Sequence, residues 1–241
     1  MRYAILSDIH GNYEALTAVL DVVDEMGVDS ILCLGDVVGY GANPNEVIAL
    51  TRERADVTTR GNHDQAAVDP GEEVYFNSWA VQAIRWTRDQ LTGESLDYLM
   101  GLPYESFLPD VRLVHASPGE PRKWRYVLSP QAAAREFSTF EESFCFIGHS
   151  HVPMIVLRTE VGTSELLEGE VALPAGARVL INVGSVGQPR NGDPRASFAV
   201  LDLEDRSASL VQVAYDIDTT RKKIIEAGLP RFLGDRLLLG Q

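Results

Sequence analysis

Five histidines occur in the 241 residues, at positions 10, 63, 115, 149 and 151. The sequence predicts each of them at the end of a β-strand or just after it. Histidines kept for packing or solubility would scatter over helices and loops as well. Asp8-Ile9-His10 and His149-Ser150-His151 both carry polar residues at i and i+2, which point to one side in extended backbone. Asp36 adds a carboxylate after a second strand, and Asn62 a neutral carbonyl oxygen after a third. Imidazole and carboxylate donors without thiolate suit manganese, iron, zinc, nickel or cobalt. Seven such donors exceed the usual needs of one ion, so the economical reading is two divalent ions. Taken singly, Asp8 reads as a helix-capping residue and Asn62 as a turn residue. It is their joint occurrence at matching strand ends that argues for a site.

The elements that must position these residues follow from periodicity. Arg2–Leu6 is an apolar run ending at Ser7-Asp8. Asn12 is a good helix N-cap, with Leu16, Val19, Leu20 and Val23 at helical spacing and Gly27 as the stop. Strands are expected over Asp29–Leu34 and Val57–Thr59, with a helix opening at Asn43-Pro44 between them. This alternation predicts βαβ units and a parallel sheet core, with each polar motif at a C-terminal strand end, where open α/β sheets place their sites. Two helical segments broken near Gly93 are expected over residues 75–101, and strands at Val111–Val114 and Ser143–Ile147. Beyond Val152, strands at Met154–Thr159, Arg178–Val183, Ser197–Asp202 and Ser207–Tyr215 predict an antiparallel or mixed second sheet, before a last helix over Thr219–Ala227. One domain, residues 1–241, is expected.

The formal net charge of −14 disfavours a long polyanionic partner. No apolar run approaches the ~20 residues of a membrane-spanning helix, and no signal-peptide pattern opens the chain. Cys33 and Cys145 lack metal-type spacing and read as buried reduced thiols, so a cytoplasmic setting is expected.

Asp8-Ile-His10, Gly35-Asp36, Gly61-Asn62-His63-Asp64, His115 and Gly148-His149-Ser-His151 together resemble the motif set of the calcineurin-like metallophosphoesterases, in order and in approximate spacing. Gly35–Gly41 and Asn182–Arg190 are similar to bacterial phosphodiesterase or diadenosine-tetraphosphatase-like members. The resemblance implies an αββα sandwich of mixed α/β character. It implies that Asp8, His10, Asp36 and His151 hold one ion, and Asp36, Asn62, His115 and His149 the other, with Asp36 bridging. Two ions roughly 3.5–4 Å apart acidify a water and neutralise phosphate oxygens. Four positive charges, less two carboxylates and a hydroxide, leave the pocket cationic in an acidic protein.

The expected activity is hydrolysis of a small phosphodiester, nucleotide or dinucleoside polyphosphate. A nuclease or a non-catalytic scaffold is the alternative, although scaffold members lose metal-site histidines that are all present here. His63 is assigned as general acid, oriented by Asp64; the competing role is a hydrogen bond to a ligand carboxylate. Arg122, Lys123, Trp124, Arg125 and Tyr126 form a basic and aromatic cluster after His115. Two readings stand for it: a seat for phosphate and base, or an exposed loop with Trp124 packed locally. Arg190 is a further candidate for binding phosphate.

Overall fold

The computed structural model describes residues 1–166 and 169–241. Twelve strands are described: β1 (Arg2–Leu6), β2 (Ser30–Cys33), β3 (Val57–Thr58), β4 (Glu105–Leu108), β5 (Val111–Val114), β6 (Phe144–Ile147), β7 (Met154–Thr159), β8 (Gly162–Leu166), β9 (Glu170–Ala172), β10 (Arg178–Asn182), β11 (Ala196–Asp202) and β12 (Ser207–Val213). The helices are α1 (Tyr13–Met26), α2 (Pro44–Arg54), α3 (Asn62–Val68), α4 (Ser78–Gln90), α5 (Gly93–Gly101), α6 (Pro130–Glu136), α7 (Ile217–Glu226) and α8 (Arg231–Asp235).

The strands form two mixed sheets, ordered β3-β2-β1-β11-β12-β9 and β4-β5-β6-β10-β7-β8. Alternation along each strand builds the layers. Tyr3 and Ile5 of β1 meet Phe144 and Phe146 of β6 and Val179 and Ile181 of β10 in the core between the sheets. Ala4 and Leu6 face the other way, onto Leu16, Val19 and Val23 of α1. On the second sheet, Cys145 and Ile147 turn outward onto Ala133, Phe137 and Phe140. The result is the expected αββα sandwich.

The expected boundary at Val152 does not divide the sheets. β11, β12 and β9 complete the first sheet beside β1, whereas β4, β5 and β6 belong to the second. β11 enters next to β1 because its antiparallel register, Tyr3 opposite Leu201 and Ile5 opposite Ala199, adds two more apolar side chains to the inner face. Such pairing is set by long-range packing, which short-range periodicity does not carry.

Local rules hold well elsewhere. The Asn12 side chain caps α1 by accepting from Ala15 N at 3.0 Å, and Gly27 ends it in the left-handed region at φ 60°. The expected helical break falls at Leu91-Thr92, with Thr92 capping α5, so that Gly93 starts the second segment instead of separating the two. His63 lies in the first turn of α3, not on a strand end.

Candidate metal centre

Six of the seven proposed ligands lie in loops after β1, β2, β5 and β6, and the seventh, Asn62, opens α3 after β3; all seven are buried. Their convergence is not that of extended backbone. Asp8 (φ 54°), His10 (φ 51°), Asp36 (φ 50°), His149 (φ 65°) and His151 (φ 60°) all occupy the left-handed region. That conformation is costly for a residue with a β-carbon, and it persists where surrounding structure enforces it. Here backbone bonds do so: Asp8 N donates to Gly35 O at 3.0 Å, and His10 N to Asp36 O at 2.9 Å. Two neighbouring glycines supply room, not dihedral freedom. A β-carbon on Gly61 would stand 2.0 Å from Asp36 Oδ1, and one on Gly148 would stand 2.0 Å from Ser7 Oγ.

The imidazoles are oriented by backbone carbonyls. Nδ1 of His10 meets Val38 O at 3.0 Å, Nδ1 of His115 meets Leu34 O at 3.0 Å, and Nδ1 of His151 meets Gln188 O at 2.6 Å. A carbonyl only accepts, so Nδ1 carries the proton and the neutral ring presents an Nε2 lone pair inward. His149 is inverted: its Nε2 donates to Trp124 O at 2.9 Å, leaving Nδ1 as the inward atom. Second-sphere bonds of this kind position metal-binding histidines.

Three donor groups result: His10, Asp36 and His63 form one, and the two that match the expected ion sites are Asp8 with His10 and His151, and Asp36 with His115 and His149. Asp36 Oδ2 stands between them, 3.7 Å from His10 Nε2 and 3.3 Å from His115 Nε2. Asn62 Oδ1 joins the second cluster, 3.3 Å from His115 Nε2. His10 Nε2 and His151 Nε2, both acceptors, face each other at 3.1 Å. Asp8 Oδ1, 3.2 Å from His151 Nε2, is buried without a hydrogen-bond partner. Opposed lone pairs and an orphaned carboxylate oxygen fit divalent cations, and the oxygen and nitrogen donor set suits them.

Without cations, burial lowers the pKa of His10, His63, His149 and His151, taking His149 to about 3 and His63 to about 4. His115 goes the other way: burial opposes its charge, but Asp36 and Asp8 prevail and raise it to about 9.

His63 stacks within aromatic walls, its ring centroid 4.4 Å from Tyr40 and 4.5 Å from Phe76. Its peptide N donates to Asp36 Oδ1 at 2.7 Å, and its buried Nδ1 has no partner. The expectation that Asp64 orients this ring is corrected. Asp64 Oδ1 accepts from Val37 N at 2.9 Å and Val38 N at 3.2 Å, and Oδ2 from Gly61 N at 3.0 Å. Among the described residues Asp64 therefore braces the two metal-site loops through backbone amides. That buttress was signalled by Gly61-x-x-Asp64, an acid at the third position of a helix.

Arg122, Lys123, Trp124, Arg125 and Tyr126 line a cleft of ≈ 510 Å³ that opens onto Asn62 and His149. Tyr126 stacks on His149 at 4.0 Å between centroids. The Arg122 guanidinium lies 4.4 Å from the Tyr104 ring centroid, while Lys123 and Arg125 pair with Glu120 at 2.5 and 2.7 Å. Glu72, Tyr75 and Phe76 form the facing wall; sequence reasoning missed them, since they lie outside every motif. The Arg190 guanidinium lies 5.8 Å from the Tyr40 ring centroid. Arg195 instead makes an exposed ion pair with Asp193.

The fold and this constellation define a metallophosphoesterase. The sequence matches the calcineurin-like phosphoesterase superfamily domain over residues 1–206, and the chain belongs to that family. It is 40% identical over 242 residues to a protein of Methanocaldococcus jannaschii described as uncharacterized, covering 99% of this chain and 98% of that one. The crystal structure of a metallophosphoesterase from Sphaerobacter thermophilus is also 40% identical, superposing with a TM-score of 0.88 over 100% of this chain and 99% of the other. A hypothetical protein from Pyrococcus horikoshii shares the fold at 21% identity, with a TM-score of 0.81 over 100% and 98% of the two chains. The chain is accordingly a phosphoester hydrolase. Among the described residues, no helix is long and apolar enough to cross a membrane.

Proposed function

We propose that the chain hydrolyses small phosphate esters at a centre of two divalent ions, manganese being the ion expected. Asp8, His10, Asp36 and His151 would hold one ion and Asp36, Asn62, His115 and His149 the other. The observation that carries this reading is the position of Asp36 Oδ2 between the two clusters, 3.7 Å from His10 Nε2 and 3.3 Å from His115 Nε2. Such an ion pair acidifies water and offsets phosphate charge.

The chain's own residues supply the rest. His63 is the proton donor for the leaving oxygen: its ring falls in one donor group with His10 and Asp36, and an arriving phosphate dianion offsets the burial that favours its neutral form. Asp64 fixes the loops on which Asp36 and His63 sit. Tyr126, Trp124 and Tyr75 offer flat apolar surface for an aromatic leaving group such as a nucleobase, with Arg122 alongside. The buried free thiols Cys33 and Cys145 support a reducing, cytoplasmic setting.

The test is hydrolysis of an aryl phosphomonoester, an aryl phosphodiester and a dinucleoside tetraphosphate by metal-stripped protein with and without added manganese. Metal-dependent turnover lost in His149→Ala is expected. A wild-type protein that binds no metal would overturn the reading.

A further inference from the structure

The cleft that opens onto Asn62 and His149 has two unlike walls. On one, the three cations are already engaged: Lys123 and Arg125 pair with Glu120, and the Arg122 guanidinium lies over the Tyr104 ring. The facing wall is the short helical turn Pro70–Tyr75, followed by Phe76. Two adjacent carboxylates on that turn fare differently. Glu73 is clamped by Arg85 and Arg88 of α4. Glu72 is half-buried and lines the cleft, and among the described residues its side chain has neither an ion pair nor a hydrogen bond. Asp69 caps the turn, its Oδ1 accepting from Gly71 N at 2.9 Å, so Glu72 stands on a braced support.

Both walls end at the chemistry. The Phe76 ring packs on His63, 4.5 Å between centroids. Tyr126, from the other wall, stacks on His149 at 4.0 Å with the rings inclined by 20°. A leaving group that takes its proton from His63 departs between these walls, alongside Glu72. A carboxylate accepts hydrogen bonds and donates none, and it repels phosphate oxygens. In a cleft for an anionic substrate, its match is the N–H edge of a flat ring held between aromatic side chains. Guanine presents two donor groups side by side, N1–H and the 2-amino group, and can engage both carboxylate oxygens at once. Adenine, cytosine and uracil place an acceptor next to each donor.

We propose that Glu72 selects a leaving group that carries guanine, so that the substrate is a guanosine phosphoester. The assignment deepens the leaving-group seat of the phosphoesterase reading and rests on it.

The experiment is calorimetric titration of manganese-loaded protein with the 5′-methylenephosphonates of guanosine and of inosine. A carbon replaces the ester oxygen in both, so neither is hydrolysed, and they differ only in the 2-amino group. Wild type is expected to favour the guanosine compound by at least about tenfold, the yield of one hydrogen bond to a charged acceptor. Glu72→Ala should bring the ratio close to one, and Glu72→Gln, with a single acceptor oxygen, should fall between. Equal binding of the two compounds by wild type, no binding of either, or an unchanged ratio in a folded Glu72→Ala overturns the assignment. Absence of metal-dependent aryl phosphate turnover with the ratio preserved overturns the hydrolase reading alone.

Discussion

Nε2 of His10 and Nε2 of His151 lie 3.1 Å apart, each ring having committed Nδ1 to a backbone carbonyl. Two lone pairs at that distance are a standing electrostatic cost that a cation removes. Manganese added to stripped protein at about 100-fold over its Kd should therefore contribute about 2.7 kcal/mol, raising the melting temperature by about 5–10 °C. His151→Ala should lose most of this increase. A melting curve that ignores manganese in the wild type would remove the basis for this account.

Gly61 and Gly101 should respond oppositely to alanine. The added carbon at Gly61 collides with Asp36, at 2.0 Å from Oδ1 and 2.3 Å from N, and Gly61→Ala should cost more than about 3 kcal/mol together with metal binding. Gly101 has nothing within 4 Å of that position and ends α5, so Gly101→Ala should gain about 0.4–1 kcal/mol. Urea unfolding of the two variants decides; similar midpoints would contradict the packing argument.

The metal-stripped protein should be most stable near pH 6.5. His149 and His63 titrate at about 3 and about 4 when folded, below the unfolded value of ~6.5. Below pH 6.5 the unfolded chain therefore takes up protons first, and stability falls with acidification until the folded values are reached. His115, at about 9 when folded, acts in reverse. Its contribution is complete below the unfolded value and is lost as pH rises through 9. Denaturation midpoints across pH 4.5–9.5 should trace this maximum, and His115→Gln should flatten the alkaline side. A curve that keeps rising to pH 9 would show the His115 assignment to be wrong.

His63→Ala should lower kcat by about 10²–10⁴-fold while both ions stay bound. Gly39→Ala should mimic part of that loss, because its new carbon would stand 2.4 Å from His63 Nδ1. Metal content by elemental analysis separates the alternatives: ions lost from His63→Ala would make this residue a ligand support instead.

Much of the site was legible because its residues obey short-range rules. Asp8, Asp36, Asn62, His115 and His149 follow apolar runs, and each run is a strand or the approach to one. Left-handed backbone at Asp8, His10, Asp36, His149 and His151 was not legible, since the hydrogen bonds that enforce it come from residues distant in sequence, such as Gly35 O on Asp8. The side-by-side pairing of β1 with β11 is equally non-local. Asn62-His63-Asp64 looked like a strand exit because α3 buries Asn62, His63 and Asp64 in its first turn, where an amphipathic pattern would show an apolar face.

The interleaved strand order bears on when the centre can form during synthesis. Asp8 and Asp36 follow strands of one sheet, His115 and His149 follow strands of the other, and His151 emerges only after three-fifths of the chain. A nascent polypeptide that folds from its N-terminus can assemble β1, β2 and α1 early, but has half a ligand shell to offer. Ion capture is thereby deferred until the sheets have closed on each other. On the proposed two-ion reading, the ions would then act as rivets set into a finished joint, and metal scarcity in the cell would yield folded, unloaded protein in place of aggregates.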